Sequence, residues 1–241
     1  MASNQKTVIV TGASQGIGAG VAQSFLNRGY NVVANSRNIT KTNPFAASAN
    51  VALVDGDIAD PCTAAKIVDA AVSRFGRIDV LVNNAGIFIP KPFTEYTTEE
   101  FNTLVSTTLA GFLYVSQLAV KQMLRQKSGS IVNVSTTLVD QPIAGIGASV
   151  QIMVKGALNA VTPALAIEYA KEGIRVNTVA LGVINTPMHK PETHSFLKGL
   201  HPVGRIGEIK EVVDAILYLT DATFTTGEIL HVDGGAHAGK W

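Results

Sequence analysis

The sequence predicts an α/β protein: a single-domain, doubly wound parallel sheet of about seven strands with helices on both faces. Three observations predict it. Short runs rich in β-branched residues recur along the chain. Most of these runs are continuously apolar, as strands covered on both faces are. Longer amphipathic stretches separate nearly all of them, and such alternation implies parallel strands joined by right-handed crossovers.

Strands are expected at 7–11, 31–35, 51–54, 78–82, 130–135, 174–180 and 228–232. Helices are expected at 17–28, 62–75, about 98–126, 149–171 and 208–219. The chain is 46% hydrophobic over 241 residues, enough for a sizeable core. No repeat, linker or low-complexity segment divides it, so 1–241 reads as one domain. The irregular stretch 186–207, with Pro187, Pro191 and Pro202, is where such folds place a lid.

Charge is nearly balanced, with 19 Lys+Arg against 18 Asp+Glu. That excludes the basic excess of a nucleic-acid binder. Cys62 is the one cysteine, so neither a disulfide framework nor a cysteine metal cluster is expected, and Cys62 reads as a small semi-buried residue. The first seven residues are short and polar, unlike a signal or transit peptide. No apolar run approaches the roughly 20 residues of a spanning helix, so no membrane partner is expected. A cytoplasmic location is the default expectation.

The first strand leads into Thr11-Gly12-Ala13-Ser14-Gln15-Gly16-Ile17-Gly18. Glycines there allow a tight turn and close approach of the backbone to a pyrophosphate. The helix that follows offers free N–H groups and its positive dipole end. Spaced G-x3-G-x-G and not G-x-G-x-x-G, it reads as the phosphate loop of a dinucleotide-binding fold, the alternative being a glycine-rich turn that packs helix on strand. The second strand then ends in Asn35-Ser36-Arg37. A carboxylate at this edge binds a ribose 2′-hydroxyl, whereas an arginine accommodates a 2′-phosphate. Ser36 and Arg37 therefore favour a dinucleotide that carries a 2′-phosphate. After strand three come Asp55-Gly56-Asp57-Ile58; either Asp could cap the next helix, and Asp57 with Ile58 is placed beside the adenine.

The fourth strand continues into Val82-Asn83-Asn84-Ala85-Gly86. With the phosphate loop, this resembles the short-chain dehydrogenase/reductase family. The resemblance runs on through Gly129–Thr136, Lys155-Gly156-Ala157-Leu158, Ile174-Arg175-Val176-Asn177 and Val232-Asp233-Gly234-Gly235. It implies a nicotinamide cofactor and hydride transfer between an alcohol and a carbonyl. It also implies that Asn83, Ala85 and Gly86 line the cofactor cleft, that Asn84 braces the central strand, and that Gly182, Ile184 and Thr186 contact the cofactor. The long helices resemble the family's four-helix dimer interface, which implies a homo-oligomer, tetramer or dimer.

The family's catalytic set is Asn, Ser, Tyr and Lys, the last two spaced Y-x-x-x-K. Lys155 sits where the Lys belongs, but Gln151 stands four residues earlier. Positions i and i+4 share a helix face, so Gln151 points where the phenol would. Thr136 takes the Ser position, with Ser135 or Thr137 as alternatives, and Thr108 takes the Asn position. Tyr169 lies about four turns further along the helix, and Tyr114 turns roughly 120° from Thr108, so neither replaces the missing phenol. An amide cannot give a proton at a useful pKa, although its N–H can polarise a carbonyl. His189, His194 and His201 read as solvated loop histidines. His189 is the best substitute acid, and a metal site is not expected from their spacing. The functional expectation is an NADP(H)-dependent oxidoreductase with an atypical site, acting on a small or medium carbonyl, imine or alcohol. Its rival is a cofactor-binding pseudoenzyme.

Overall fold

The structure, a computed structural model, describes residues 5–239. Its centre is a seven-stranded sheet, all pairs parallel, in the order β3-β2-β1-β4-β5-β6-β7. The strands are β1 (Thr7–Thr11), β2 (Asn31–Ser36), β3 (Val51–Asp55), β4 (Val80–Asn83), β5 (Gly129–Thr136), β6 (Ile174–Leu181) and β7 (Ile229–Val232). The order reverses between β1 and β4. Chains leaving the carboxyl ends of those two strands diverge, which opens a crevice there.

The helices are α1 (Gly16–Asn27), α2 (Ile39–Thr42), α3 (Pro61–Phe75), α4 (Thr98–Val105), α5 (Gly111–Gln126), α6 (Ser149–Tyr169), α7 (His194–Lys198) and α8 (Ile209–Asp221). Two cores cover the two faces of the sheet. Val8, Val10, Val82 and Val134 pack with Phe25 of α1 and Ile216 of α8. Ile9, Leu81 and Ile131 face the opposite way, toward Ile67 of α3 and Met123 of α5. Adjacent residues of one strand thus enter different cores, the period-2 geometry that makes a doubly covered strand apolar throughout.

Three details differ from the sequence expectations. The helix expected over 98–126 is interrupted by a π-helical turn, Ser106–Ala110. Gly111 follows it, packed so closely that a Cβ there would lie 2.8 Å from Ile58 Cγ2. Cys62 is exposed, not semi-buried: it lies in the first turn of α3, on the solvent side. Thr98–Gln126 and Ser149–Glu172 are long and apolar enough to cross a membrane by length and composition, despite their interspersed Ser and Thr. Here they pack on the sheet, and their outer faces expose Phe101, Leu113, Met153 and Ile167.

A buried polar chain ties the middle of the sheet together. Asn83 Nδ2 donates to Asn133 Oδ1 at 2.9 Å, and Asn133 Nδ2 to Thr162 Oγ1 at 3.1 Å. Thr162 shares a 2.7 Å hydroxyl bond with Thr178. Each polar group so placed would be costly to bury alone. Together they fix β4, β5, α6 and β6 in register.

Candidate functional site

Gly12, Gly16 and Gly18 all serve the phosphate loop, for separate reasons. Gly12 and Gly16 have φ of 66° and 58°, a region glycine enters without strain. A Cβ on Gly18 would sit 2.2 Å from Gly12 O, so the helix could not approach the strand. Asn84 Nδ2 donates to Thr11 O at 2.9 Å and Gly12 O at 3.1 Å, which locks the loop to the end of β4. Asn84 therefore braces the strand, as expected, and its neighbours Ala85 and Gly86 line the crevice. Gln15, the N-cap of α1, makes no side-chain bond to the first turn, and no acidic residue lies there. The turn's positive end is left to meet an anion.

At the end of β2, Arg37 is exposed, and its guanidinium makes no hydrogen bond or ion pair among the described residues. Beside it, Asp55 is held below the usual carboxylate range by the Thr40 hydroxyl and then by Thr40 N–H. The helix cap of α3 is neither Asp55 nor Asp57 but Asp60, whose Oδ1 accepts from Cys62 N at 2.9 Å. Asp57 Oδ1 instead accepts from Ala59 N, turning the chain two residues earlier.

The crevice is a cleft of about 330 Å³. Gly12, Gln15, Gly16, Ile17 and Gly18 form its phosphate end, and Ala85 and Gly86 its β4 wall. Thr136, Gln151 and Lys155 meet there, joined by Gly182, Ile184 and Thr186 from beyond β6. Ser14, Ser36, Arg37 and Asp57 stand outside this wall. Three residues face elsewhere: Asn83, Ile58 and Thr108 line a separate small cavity behind it. The side chain of Asn83 is turned to Ser116 and Asn133, away from the cleft. Ile58 is buried against Gly111, so only its backbone remains for a ligand. Thr108, on the π-helical turn, is buried, and its hydroxyl has no hydrogen-bond partner among the described residues.

Lys155 Nζ donates to Val134 O at 2.6 Å, and no carboxylate pairs with it among the described residues. Burial alone lowers its pKa from 10.5 to about 8, because the ammonium loses water. Gln151, one turn earlier on α6, is 3% exposed, and its Oε1 has no hydrogen-bond partner among the described residues. Thr136 Oγ1 donates to Leu181 O at 3.3 Å and accepts from Leu138 N. Next to it, Thr137 donates to Asp233 Oδ2 at 2.6 Å, and His237 Nδ1 lies 2.8 Å from the same oxygen. Burial pushes the Asp233 carboxyl up, but Thr137 and His237 together hold it below its ordinary value.

His201 is not a solvated loop histidine. It is 4% exposed and lines the cleft. Val183 N donates to its Nε2 at 2.9 Å, which leaves Nδ1–H to donate to Leu197 O at 3.1 Å. The ring therefore pins α7 to the backbone just beyond β6, where a Cβ on Gly182 would come within 2.7 Å of Nε2. Burial lowers the His201 pKa, opposed by its bond to Leu197 O and by Asp233. Sequence offered no signal for this contact beyond the histidine itself. His189 and His194 are only partly buried, with His194 Nε2 3.2 Å from His189 O. Burial and then His194 lower the His189 pKa, so at neutral pH it is a poor source of protons.

The His201 bonds carry a prediction. Its folded pKa lies below the unfolded 6.5, so its contribution is full above about pH 6.5 and is lost as pH falls through the folded value. His201→Gln can keep both bonds without titrating. Urea unfolding at pH 7.5 and 5.5 is expected to show a smaller acid loss in His201→Gln than in the unmutated chain. Equal losses would mean that other groups carry the acid sensitivity.

Residues 12–237 match the family described as enoyl-(acyl carrier protein) reductase. The chain is 34% identical to glucose 1-dehydrogenase of Gluconobacter oxydans, over 95% of this chain and 91% of that one. It is 35% identical to 3beta-hydroxysteroid dehydrogenase 1 of Eggerthella lenta, over 95% and 93%. Among solved structures it resembles ElxO with NADP bound, with a TM-score of 0.91 and 31% identity over 98% of this chain and 100% of that one. It also resembles a 3-ketoacyl-(acyl-carrier-protein) reductase from Brucella melitensis complexed with NADH, with a TM-score of 0.89 and 28% identity over 96% and 98%. With the parallel sheet, the glycine cradle and the Lys155 cleft already in place, these matches make the chain a short-chain dehydrogenase/reductase, a member of the oxidoreductases of that family.

Proposed function

We propose that the chain transfers hydride between NADP(H) and a small or medium carbonyl, imine or alcohol, at a site where Gln151 replaces the expected tyrosine. The observation that carries this reading is one cleft holding both the glycine cradle and the Gln151–Lys155 pair. A bound nicotinamide nucleotide would supply or accept the hydride. The residues present fit such a group. Gly12, Gly16 and Gly18 leave no side chain between the α1 N-terminus and a pyrophosphate. Arg37 stands where a ribose 2′-phosphate would lie, and Lys155, still largely an ammonium at pH 7, would hold the nicotinamide ribose hydroxyls. Gln151 orients the substrate's oxygen but gives no proton, so proton delivery falls to Lys155 Nζ or to water.

Exposed Phe101, Leu113, Met153 and Ile167 on the helices α4 to α6 support a homo-oligomer built on those faces. The second reading, a cofactor-binding pseudoenzyme, is favoured by the same Gln151 amide. One experiment separates the two: NADPH binding by fluorescence, then NADPH oxidation against a panel of ketones, aldehydes and imines. Binding with turnover supports the enzyme, and binding without it supports the rival. Lys155→Ala is expected to weaken NADPH binding about 10-fold, as loss of charge-assisted hydrogen bonds does. Unchanged affinity would remove Lys155 from the cofactor site.

A further inference from the structure

The segment between β6 and α8 is fastened at its two ends. Asn185 N donates to Gly207 O at 2.7 Å, and Gly207 N to Val183 O at 2.9 Å. Between these ends lies α7, none of whose residues is buried. Its Leu197, and Leu200 just after it, line the cleft. Burial of apolar surface therefore does little to hold this helix down. What ties it to the sheet is His201, 4% exposed, with Val203 N to Gly234 O at 3.3 Å just beyond. The segment's other histidines do not share that task, since His194 Nε2 bonds His189 O within the segment itself.

The His201 contact works in one protonation state. A backbone N–H can only donate, so Nε2 turns its lone pair to Val183 N, and the ring's proton sits on Nδ1 toward Leu197 O. A second proton, on Nε2, would set two donors against each other 2.9 Å apart. The turn after β7 faces the ring with Asp233, itself engaged by Thr137 and His237. The end of β6 brings Gly182 and Val183, and α7 brings Leu197, none of which titrates. Burial lowers the ring's pKa, against the Leu197 O bond and Asp233, so the charged form is disfavoured while α7 is seated.

We propose that His201 is a proton-released pin: when Nε2 takes a proton from solvent, Val183 N–H loses its acceptor, α7 lifts from the end of β6, and Leu197 and Leu200 leave the wall of the cleft. The cleft thus opens on its α7 side in mild acid, whether it turns over a substrate or only holds a nucleotide. Lifting α7 uncovers no buried residue of that helix, so the segment opens before the sheet unfolds. Once lifted, the ring charges at its ordinary 6.5, and the opening equilibrium rises up to about 10-fold between pH 7.5 and 5.5.

Methyl NMR on the full chain tests this. The open population is read from relaxation dispersion of the Leu197 and Leu200 methyls at pH 7.5 and 5.5, with buried Leu81 and Leu104 as internal references. In the unmutated chain it is expected to rise with acid at Leu197 and Leu200 but not at Leu81 or Leu104. In His201→Gln, whose amide can make both bonds without titrating, it is expected to stay level. No rise at Leu197 and Leu200, the same rise in His201→Gln, or an equal rise at Leu81 and Leu104 would each overturn the proposal. The ring's own titration in the unmutated chain decides even if that variant does not fold. The open population must follow it, and a rise at a pH where His201 has not charged would overturn the proposal too.

Discussion

Arg37→Ala is expected to cost NADPH about 10-fold in affinity and to leave NADH nearly unchanged. The two nucleotides differ only in the 2′-phosphate, so a residue that bonds that phosphate must act on one of them. Ser36 puts no carboxylate at its own position, and Asp55, across from Ser36 on β3, is tied to Thr40 N–H at 3.0 Å. Arg37 itself has no competing partner among the described residues. The effect is set at the low end of charge-assisted bonds because Arg37 is exposed and salt screens it. Gln15, neutral and exposed on the other side of the loop, adds no second cation. Paired titrations of NADPH and NADH, for both proteins and at two salt concentrations, measure it. Equal dissociation constants in the unmutated chain would remove the preference altogether.

The sheet was legible because its strands are buried on both faces, which writes each one as an uninterrupted β-branched run. β1 and the carboxyl end of β7 fall where the sequence places them, and most other strand ends shift by only one or two residues. The π-helical turn at Ser106–Ala110 was not legible. Its residues read as continuous helix, and nothing in their local pattern marks the wider turn. Within the site, local spacing succeeded: Gln151 and Lys155 share a face because four residues make about one turn. Adjacent residues at a strand end were harder. Asn83 and Asn84 read as one motif, yet β4's alternation sends the first into the core and leaves the second at the phosphate loop. The His201 contact was invisible for another reason: it joins Val183 to α7 through tertiary packing, with no local pattern to mark it.

The largest effect is expected from Gln151→Tyr. The position is one helical turn before Lys155, on the wall of the same cleft as Thr136, so a phenol there would enter the site without a change of backbone. Lys155 has no carboxylate to neutralise it among the described residues, so its ammonium would favour a phenolate and pull that pKa toward the working range. The phenol would also accept from Thr136 if that hydroxyl turned from its 3.3 Å bond to Leu181 O, a long and weak bond to give up. A positioned general acid is worth roughly 10²–10⁴ in rate, and NADPH-dependent reduction of activated ketones should rise within that range. Thr108 limits the gain, since its hydroxyl lines the separate small cavity, has no partner among the described residues and so extends no relay from Lys155. Ketone turnover and NADPH affinity, measured on one pair of proteins, distinguish the causes. A gain in turnover would show that the acid was the missing part. No gain, with NADPH binding intact, would show that the cleft positions its ligand for something other than carbonyl reduction. A loss from an already high activity would place the Gln151 amide in the reaction itself and count against a pseudoenzyme.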